Sequence, residues 1–369
     1  MTGRRERVGR ERLRLRDLGE FALIERIERA ARRMARGPGV VLGSGDDAAL
    51  LRARPGETWV VSTDARVENV HFRWSSDSPR TVGATALAAA LADLAAMGAH
   101  PRGFTCAIAA PGDLPIEAFD GLVRGLVAGA RRHGCPLVGG NLARASETSI
   151  VSTVFGTVPR GRALRRRARG GDRILVTGEL GAAALARARA ERGGAPLRRV
   201  PVPRLVQGRA LARIGAVTGC IDVSDGLAAD LAHLLGARLR CAVDPARIPL
   251  PRGFAAGCRA LGLDPAATAL AGGDDYELLF AVRPGGPSAA ALARRLGVRV
   301  SELGRVERGR PGGQRRGFDH FASKEADEVG RRAARRSRAK ARPEGGPRPA
   351  PKLPVRDGIS HQERDAAHR

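Results

Sequence analysis

Lysine is almost absent from this chain of 369 residues. The only lysines are Lys324, Lys340 and Lys352, so residues 1–323 contain none. A Walker A loop needs a Gly-Lys-Ser/Thr sequence, and a protein kinase needs a lysine on one of its strands. Residues 1–323 therefore hold neither kind of nucleotide site. If the chain binds a polyphosphate there, metal ions and arginine must supply the positive charge.

Cysteine, aromatic residues and long apolar runs are also scarce. The five cysteines form no Cys-x-x-Cys pair and are odd in number, which indicates neither a zinc site nor a disulfide framework. No apolar run reaches the roughly 18 residues of a membrane span, and no apolar segment follows the basic N-terminus as in a signal peptide. We therefore expect a cytoplasmic protein with no membrane partner, whose core is built from Ala, Val and Leu.

The formal net charge of +26 comes almost entirely from arginine. Arginine is used throughout the chain in place of lysine, which favours a general bias over a nucleic-acid-binding stripe. Composition predicts a flexible basic arm at residues 1–17 and a disordered basic tail at residues 322–369. The tail is expected to be a solvated appendage, and binding to RNA or to a membrane surface is the alternative.

Several short acidic bends, flanked by glycines or strands, recur between these ends. They are Gly45-Asp46-Asp47, Ser62-Thr63-Asp64, Asp222-Val223-Ser224-Asp225 and Gly273-Asp274-Asp275. A further carboxylate, Asp93, lies in the otherwise apolar helix predicted over 81–97, where a buried unpaired charge is costly. Any one of these is explained by a solvated turn or helix edge. Taken together they favour a polyphosphate held through several Mg²⁺ ions, because Mg²⁺ prefers oxygen ligands.

The pattern of apolar residues predicts alternating strands and helices. The first predicted helix begins near residue 20, and the others cover 81–97, 116–133, 182–192 and 204–214. The predicted strands cover 40–42, 57–64, 104–109, 148–158 and 216–222, with a further strand after residue 277. The chain is long enough for roughly two domains. We place the first at residues 18–158 and the second at residues 159–321.

In this order, nine short motifs resemble the thiamine-monophosphate kinase family. They are Gly19-Glu20-Phe21, Gly45-Asp46-Asp47, Ser62-Thr63-Asp64 with Val70-His71-Phe72, Leu91-Ala92-Asp93, Gly139-Gly140, Gly161-Arg162-Ala163-Leu164, Asp222-Val223-Ser224-Asp225-Gly226, Gly272-Gly273-Asp274-Asp275-Tyr276 and Gly317-Phe318-Asp319. Each motif alone is weak evidence, but the nine together span nearly all of residues 19–321.

The resemblance implies a fold, a reaction and a set of site residues. The implied fold is an α/β arrangement of two domains with mixed sheets and flanking helices, shared with aminoimidazole ribonucleotide synthetase and usually assembled as a homodimer. The resemblance implies that residues 18–158 form the ATP- and Mg²⁺-binding and dimerisation domain. The implied reaction is ATP-dependent phosphorylation of thiamine monophosphate to thiamine diphosphate by direct in-line transfer, the final step of thiamine diphosphate biosynthesis. The residues it implies are Asp47, Ser62, Thr63, Asp64, Asp93, Asn141, Asp222 and Asp225 for Mg²⁺, Gly140, Asn141, Arg166 and Ser224 for ATP, and His71, Asp274 and Phe318 for thiamine monophosphate.

Two positions depart from the family pattern. Asn141 stands where an aspartate is usual, which predicts weaker Mg²⁺ binding because an amide oxygen carries no charge. Asn69 stands where glycine is usual. Asparagine adopts a backbone conformation with positive φ less freely than glycine, so this substitution affects the conformation expected of the loop. The alternatives to the kinase are a non-catalytic relative that binds Mg-ATP and a sister ATP-dependent synthetase of the same superfamily.

Overall fold

The computed structural model describes residues 13–31, 39–43, 48–194 and 199–309. The helices are α1 (Leu15–Leu18), α2 (Glu20–Ala31), α3 (Pro79–Ala96), α4 (Ile116–His133), α5 (Ala182–Glu191), α6 (Leu205–Ala212), α7 (Leu227–Leu235), α8 (Phe254–Ala260), α9 (Pro265–Ala271) and α10 (Ala289–Leu296). The strands are β1 (Val40–Leu42), β2 (Leu50–Leu51), β3 (Glu57–Val67), β4 (His100–Ala110), β5 (Leu137–Arg144), β6 (Ser149–Pro159), β7 (Arg173–Thr177), β8 (Val217–Asp222), β9 (Leu239–Cys241), β10 (Leu278–Val282) and β11 (Val300–Arg308). The predicted helices and strands are confirmed, with ends that differ by a few residues.

The first large sheet has the strand order β3-β6-β4-β5. It is mixed, because β4 and β5 run parallel while the other neighbours are antiparallel. Burial alternates along its strands, so one face packs against helices and the other is open. On the open face, Trp59 is 37% exposed and Val61 is 57% exposed.

The second large sheet has the strand order β8-β10-β7-β11-β9 and is antiparallel at every pairing. Strand β10, which lies between β8 and β7, is buried at every position, as expected from its unbroken apolar run Leu278-Leu279-Phe280-Ala281-Val282. The mixed first sheet, this second sheet and the helices around them give the expected α/β architecture.

Helix α3 lies between the two sheets and contacts β3, β6 and β8 as well as helices α4 and α6. Thirteen of its residues are buried, most of them alanine or leucine. Such a helix is apolar on all sides, as expected for an element surrounded by protein. Small residues also permit close approach: a Cβ on Gly208 of α6 would lie 1.9 Å from the carbonyl oxygen of Ala95.

All described residues belong to one compact unit. The two sheets come from opposite sides of residue 159 in the sequence, but the division into domains at residues 18–158 and 159–321 stays a prediction. The basic tail at residues 322–369 and most of the arm at residues 1–17 lie outside the described residues. Within the part that is described, no helix is both long and apolar enough to cross a membrane.

Candidate active site

Three predicted carboxylates come together between the sheets. Asp64 is on β3, Asp93 is on α3 and Asp222 ends β8, where it is only 4% exposed. The three interact electrostatically through Asp93, which acts on both of the others. Asp93 also has a partner that the sequence did not reveal, because the Ser62 hydroxyl donates a hydrogen bond to its Oδ2 at 2.5 Å. The predicted convergence of Ser62, Asp64, Asp93 and Asp222 is therefore present.

Burial and mutual repulsion disfavour the charged forms of these carboxylates. Burial raises the pKa of Asp64 to about 6, Arg66 opposes this shift, and Asp93, Asp274 and Asp225 add to it. Burial also raises the pKa of Asp93, against the hydrogen bond from Ser62 and the positive charge of Arg166. The pKa of Asp222 lies well above its ordinary value, first through burial and then through Asp93 and Asp230, with Arg166 opposing.

The exposed Arg166 is the cation that acts on both Asp93 and Asp222. Its loop is fastened to the rest of the site by backbone hydrogen bonds, from Leu164 N–H to the Met97 carbonyl and from Cys220 N–H to the Arg165 carbonyl. A Cβ on Gly219 would lie 2.8 Å from the Arg167 nitrogen, so glycine is needed for this close passage. The predicted ATP contact Arg166 thus lies where a polyphosphate over the carboxylates would meet it.

The loop after β8 carries Ser224 and Asp225 and is held by a carboxylate that the sequence reading did not assign. Asp230 Oδ2 accepts hydrogen bonds from the backbone N–H groups of Ser224, Asp225 and Gly226, at 3.0 to 3.1 Å. Burial raises the pKa of Asp230 to about 7, with the Asp225 charge adding to this. Asp230 therefore fixes the backbone of the turn that presents Ser224 and Asp225.

The donor set suits Mg²⁺ shared with a ligand. Across the described ranges, no three carboxylate, imidazole or thiol groups already converge to hold one ion. Mg²⁺ is usually bound by one or two carboxylates together with substrate phosphate oxygens and waters, so a complete protein cage is not required. The buried negative charge of Asp64, Asp93 and Asp222 is offset by Arg66 at the first residue and by Arg166 at the other two. This excess of negative charge, with the Ser62 hydroxyl beside it, is the property that fits such ions.

Beside the acidic cluster lies the predicted substrate end of the site. Asp274 Oδ1 accepts hydrogen bonds from Arg66 at 3.0 Å and from the Tyr276 hydroxyl at 2.8 Å. Arg66 and the Tyr276 hydrogen bond, together with Arg187, hold the pKa of Asp274 near 2 despite its burial. His71 Nδ1 accepts a hydrogen bond from the Val67 N–H, and the His71 carbonyl accepts from both Arg66 and Arg187. Asp274 lines a cleft together with Arg66, Phe72 and Arg187. His71 is joined to this cleft through its carbonyl, which accepts from the two arginines.

Arg66 and Arg187 are missed by the sequence reading. A signal for Arg66 was present, because Ser62, Asp64 and Arg66 alternate along β3 and so project from one face. No comparable signal exists for Arg187, which lies on α5 among other arginines.

Three predicted residues are not brought to the cluster. Thr63 projects to the open face of the first sheet, opposite to Ser62 and Asp64, and its hydroxyl is 3.0 Å from that of Thr153. Gly140 and Asn141 are exposed on β5, at the other edge of the sheet from β3. Three strand spacings separate these edges, which is about 14 Å. Asp47 and Phe318 lie outside the described residues, between β1 and β2 and beyond β11.

Comparison with known proteins gives consistent matches. Residues 45–158 match the family model described as AIR synthase related protein, N-terminal domain. The thiamine-monophosphate kinase of Mycobacterium tuberculosis (strain ATCC 25618 / H37Rv) is 40% identical over 289 residues, covering 76% of this chain and 85% of that protein.

Solved structures show the same likeness. The crystal structure of thiamine-monophosphate kinase from Stenotrophomonas maltophilia K279a is 35% identical, covers 80% of this chain and 98% of that one, and gives a TM-score of 0.69. A structure described as AaThiL complexed with AMPPCP and TMP is 25% identical, covers 84% of this chain and 99% of that one, and gives a TM-score of 0.63.

Proposed function

Because this chain belongs to the thiamine-monophosphate kinase family, we propose that it transfers the γ-phosphoryl group of ATP to the phosphate of thiamine monophosphate. The product is thiamine diphosphate, and the reaction is the last step of its biosynthesis. The observation that carries this proposal is the meeting of Asp64, Asp93 and Asp222 from three separate elements, directly beside Asp274. The free thiols of all five cysteines support a reducing, cytoplasmic setting.

The two parts of the site suit the two substrates. The acidic cluster under Arg166 suits the phosphates of ATP, with Ser224 at its rim. The cleft lined by Asp274, with His71 next to it, suits the organic end of thiamine monophosphate, whose phosphate would then point toward the cluster. A relative with both AMPPCP and TMP bound supports two ligands side by side.

Magnesium is the expected metal. Ser62, Asp64, Asp93, Asp222 and Asp225 would hold it, and Asp47 is a further proposed ligand. Bound Mg²⁺ would neutralise charge on the transferred phosphoryl group and would lower the pKa values that burial now raises.

The chemistry needs no general base from the chain. An oxygen of the acceptor phosphate is already anionic, so it forms the new bond to the γ-phosphorus while the bond to the β–γ bridging oxygen breaks and ADP leaves. Arg66, Asp274 and His71 orient the acceptor, and Arg166 offsets negative charge at the donor. Direct in-line transfer leaves no phosphorylated side chain.

We further propose that the enzyme is a homodimer. The open face of the first sheet presents Trp59 and Val61 to solvent, and a second copy would cover it. Gly140 and Asn141 lie far from the acidic cluster of their own chain, so we propose that they serve the site of the partner copy.

The purified full chain tests the reaction directly. With ATP, Mg²⁺ and thiamine monophosphate we expect thiamine diphosphate and ADP in equal amounts, and no product with thiamine as acceptor. Asp222→Asn should lower kcat at least 100-fold, because it removes a charge at the centre of the cluster. Asp264→Asn, an exposed helix cap that asparagine also satisfies, is the matched control.

Three results would contradict the proposal. Tight Mg-ATP binding without turnover of thiamine monophosphate would favour a non-catalytic relative. Turnover of a different acceptor would favour a sister synthetase. A phosphorylated side chain trapped with γ-labelled ATP would exclude direct transfer.

A further inference from the structure

Arg66 is a buried arginine that joins two loops at the substrate end of the site, and it belongs to none of the predicted ligand sets. It is 4% exposed, and its guanidinium donates to three groups on two loops. One terminal nitrogen lies 3.0 Å from both Asp274 Oδ1 and the Tyr276 hydroxyl, and the other lies 3.1 Å from the His71 carbonyl. A planar fork with several fixed donors is what such a three-way contact requires.

The two loops that Arg66 joins contain the strained backbone of the molecule. Among the described residues, the non-glycine residues with positive φ are Asn69 at 62°, Asp274 at 63° and Tyr276 at 52°. Asn69 thus adopts the left-handed conformation expected of the glycine it replaces. Such conformations are unfavourable for residues other than glycine and persist only where surrounding contacts enforce them. Here Arg66 contacts the side chains of two of these residues and the loop of the third.

The contacts leave one oxygen of Asp274 weakly engaged. Oδ1 is held by Arg66 and Tyr276, but among the described residues Oδ2 has only two hydrogen-bond contacts, to Arg66 and Arg187, both at 3.5 Å. Hydrogen bonds at that length are weak. Oδ2 can therefore take a stronger donor, such as an amino group of a ligand in the adjoining cleft.

We propose that Arg66 is a positioning residue for the acceptor substrate, holding the Asp274 carboxylate and the His71 loop in one fixed arrangement. This inference rests on the proposed function. Arg66 acts through Asp274 and the His71 backbone and need not touch the acceptor. Its loss releases two strained loops at once, so acceptor binding weakens. At the ATP end, Arg66 donates no hydrogen bond to Asp93 of α3 or Asp222 of β8, so ATP binding changes less.

The chain offers a matched control in Arg102. This arginine is also buried, at 7% exposed, and lies on β4 of the same sheet. It donates to both oxygens of Glu57, at 2.7 and 2.9 Å, and to the Thr157 hydroxyl at 2.9 Å. Arg66→Met and Arg102→Met therefore remove comparable buried contacts, but only the first touches the loops.

The test measures KM for both substrates in full-length wild type, Arg66→Met, Arg66→Lys and Arg102→Met. For Arg66→Met we expect the KM for thiamine monophosphate to rise at least tenfold and that for ATP to change less than threefold. Arg66→Lys should raise the KM for thiamine monophosphate less than Arg66→Met does, because lysine keeps the positive charge but lacks the planar guanidinium with its several donors. Arg102→Met should leave the ratio of the two KM values within twofold of wild type. If the ratio of the KM for thiamine monophosphate to the KM for ATP is the same in Arg66→Met and Arg102→Met, the inference is overturned.

Amide hydrogen exchange gives a readout that does not depend on turnover. Arg66→Met should speed exchange at 67–73 and at 272–277 at least tenfold, and Arg102→Met should not. If wild type shows no kinase activity, the proposed function is contradicted. The hydrogen-exchange measurement would still decide whether Arg66 holds the two loops in place. If exchange in Arg66→Met rises equally throughout the chain, the residue is merely structural and the inference fails. If Arg66→Met does not fold, Arg66→Lys must show the same local pattern in smaller degree, or the inference fails.

Discussion

At the scale of single residues, Asp275 shows how a buried carboxylate can serve structure beside the site. Its Oδ2 accepts a hydrogen bond from the Gly181 N–H at 2.6 Å, at the start of helix α5. Burial raises its pKa to about 6, the N–H groups of Gly181 and Ala183 and the charge of Arg199 oppose this, and Glu277 adds to it. Asp275 is therefore more easily protonated in the folded chain than in the unfolded chain.

This gives a pH dependence with a definite sign. The pKa of Asp275 is raised on folding, from near 4 to about 6, so its contribution to stability is full below pH 4 and is lost as pH rises through 6. The free energy of unfolding of wild type minus that of Asp275→Asn should therefore fall by about 2–3 kcal/mol between pH 4 and pH 7. Urea unfolding at several pH values measures this. The exposed Asp113→Asn serves as control, and a difference that stays constant or rises with pH would refute the assignment.

Strand periodicity explains which site residues the sequence could predict. Ser62 and Asp64 share a face of β3 with Arg66, while Thr63 projects the other way, as the two-residue repeat of a strand requires. The motif Ser62-Thr63-Asp64, taken as a unit, therefore assigned Thr63 to the metal site although its side chain lies on the opposite face of the sheet. The structure brings Asp93 to the predicted cluster, and its role as a metal ligand stays a prediction. Its partner Ser62 is 31 positions away and could not be inferred from the helix alone.

At the scale of elements, helices α3 and α4 cross closely because glycines remove side chains from the contact. A Cβ on Gly125 of α4 would lie 2.1 Å from the Arg80 carbonyl oxygen and 2.8 Å from the Ala84 nitrogen. One turn later on the same helix, a Cβ on Gly129 would lie 3.4 Å from Leu87 Cδ2, at the edge of ordinary contact. The two glycines therefore differ in what they permit.

Replacing each glycine by alanine separates packing from helix propensity. Alanine favours a helix over glycine by up to about 1 kcal/mol at either position. At Gly125 the backbone clash forces α3 and α4 apart, so Gly125→Ala should lower the free energy of unfolding by about 1–3 kcal/mol. Gly129→Ala should leave it unchanged or raise it. Equal effects of the two substitutions on thermal or urea unfolding would show that the crossing is not close.

The positions of the elements were readable from the sequence, but their neighbours were not. Periodic apolar residues and glycine boundaries placed α4 at Ile116–His133 and α3 to within two residues. The strand order β3-β6-β4-β5 depends on long-range pairing, for which no local pattern exists. That order puts Gly140 and Asn141 at the edge remote from β3, so a motif read along the chain could not reveal that they lie apart from the cluster.

At the scale of the whole molecule, the open face of the first sheet is the feature that a single copy leaves unexplained. Val61 is 57% exposed at the middle of β3, beside Trp59 and on the same face as Thr63 and Thr153. An apolar sheet face of this kind favours contact with another protein surface. Asn141 also projects from this face, because it pairs with Ala107, which pairs with Val151, which in turn pairs with Ala65. The homodimer that we propose would therefore have this predicted ATP contact at its interface.

Val61→Arg should therefore weaken dimerisation and activity together. A charge buried at the centre of the face is expected to cost at least about 3 kcal/mol, a Kd more than 100-fold higher, since it would be desolvated without a partner. Light scattering over a range of protein concentrations gives the assembly state, and the kinase assay at the same concentrations gives the activity. Val206→Arg, on α6 and 63% exposed, is the matched control and should change neither. If the Val61→Arg variant becomes monomeric yet keeps full activity, Gly140 and Asn141 do not act across the interface. If wild type is itself a monomer, the open face does not serve dimerisation.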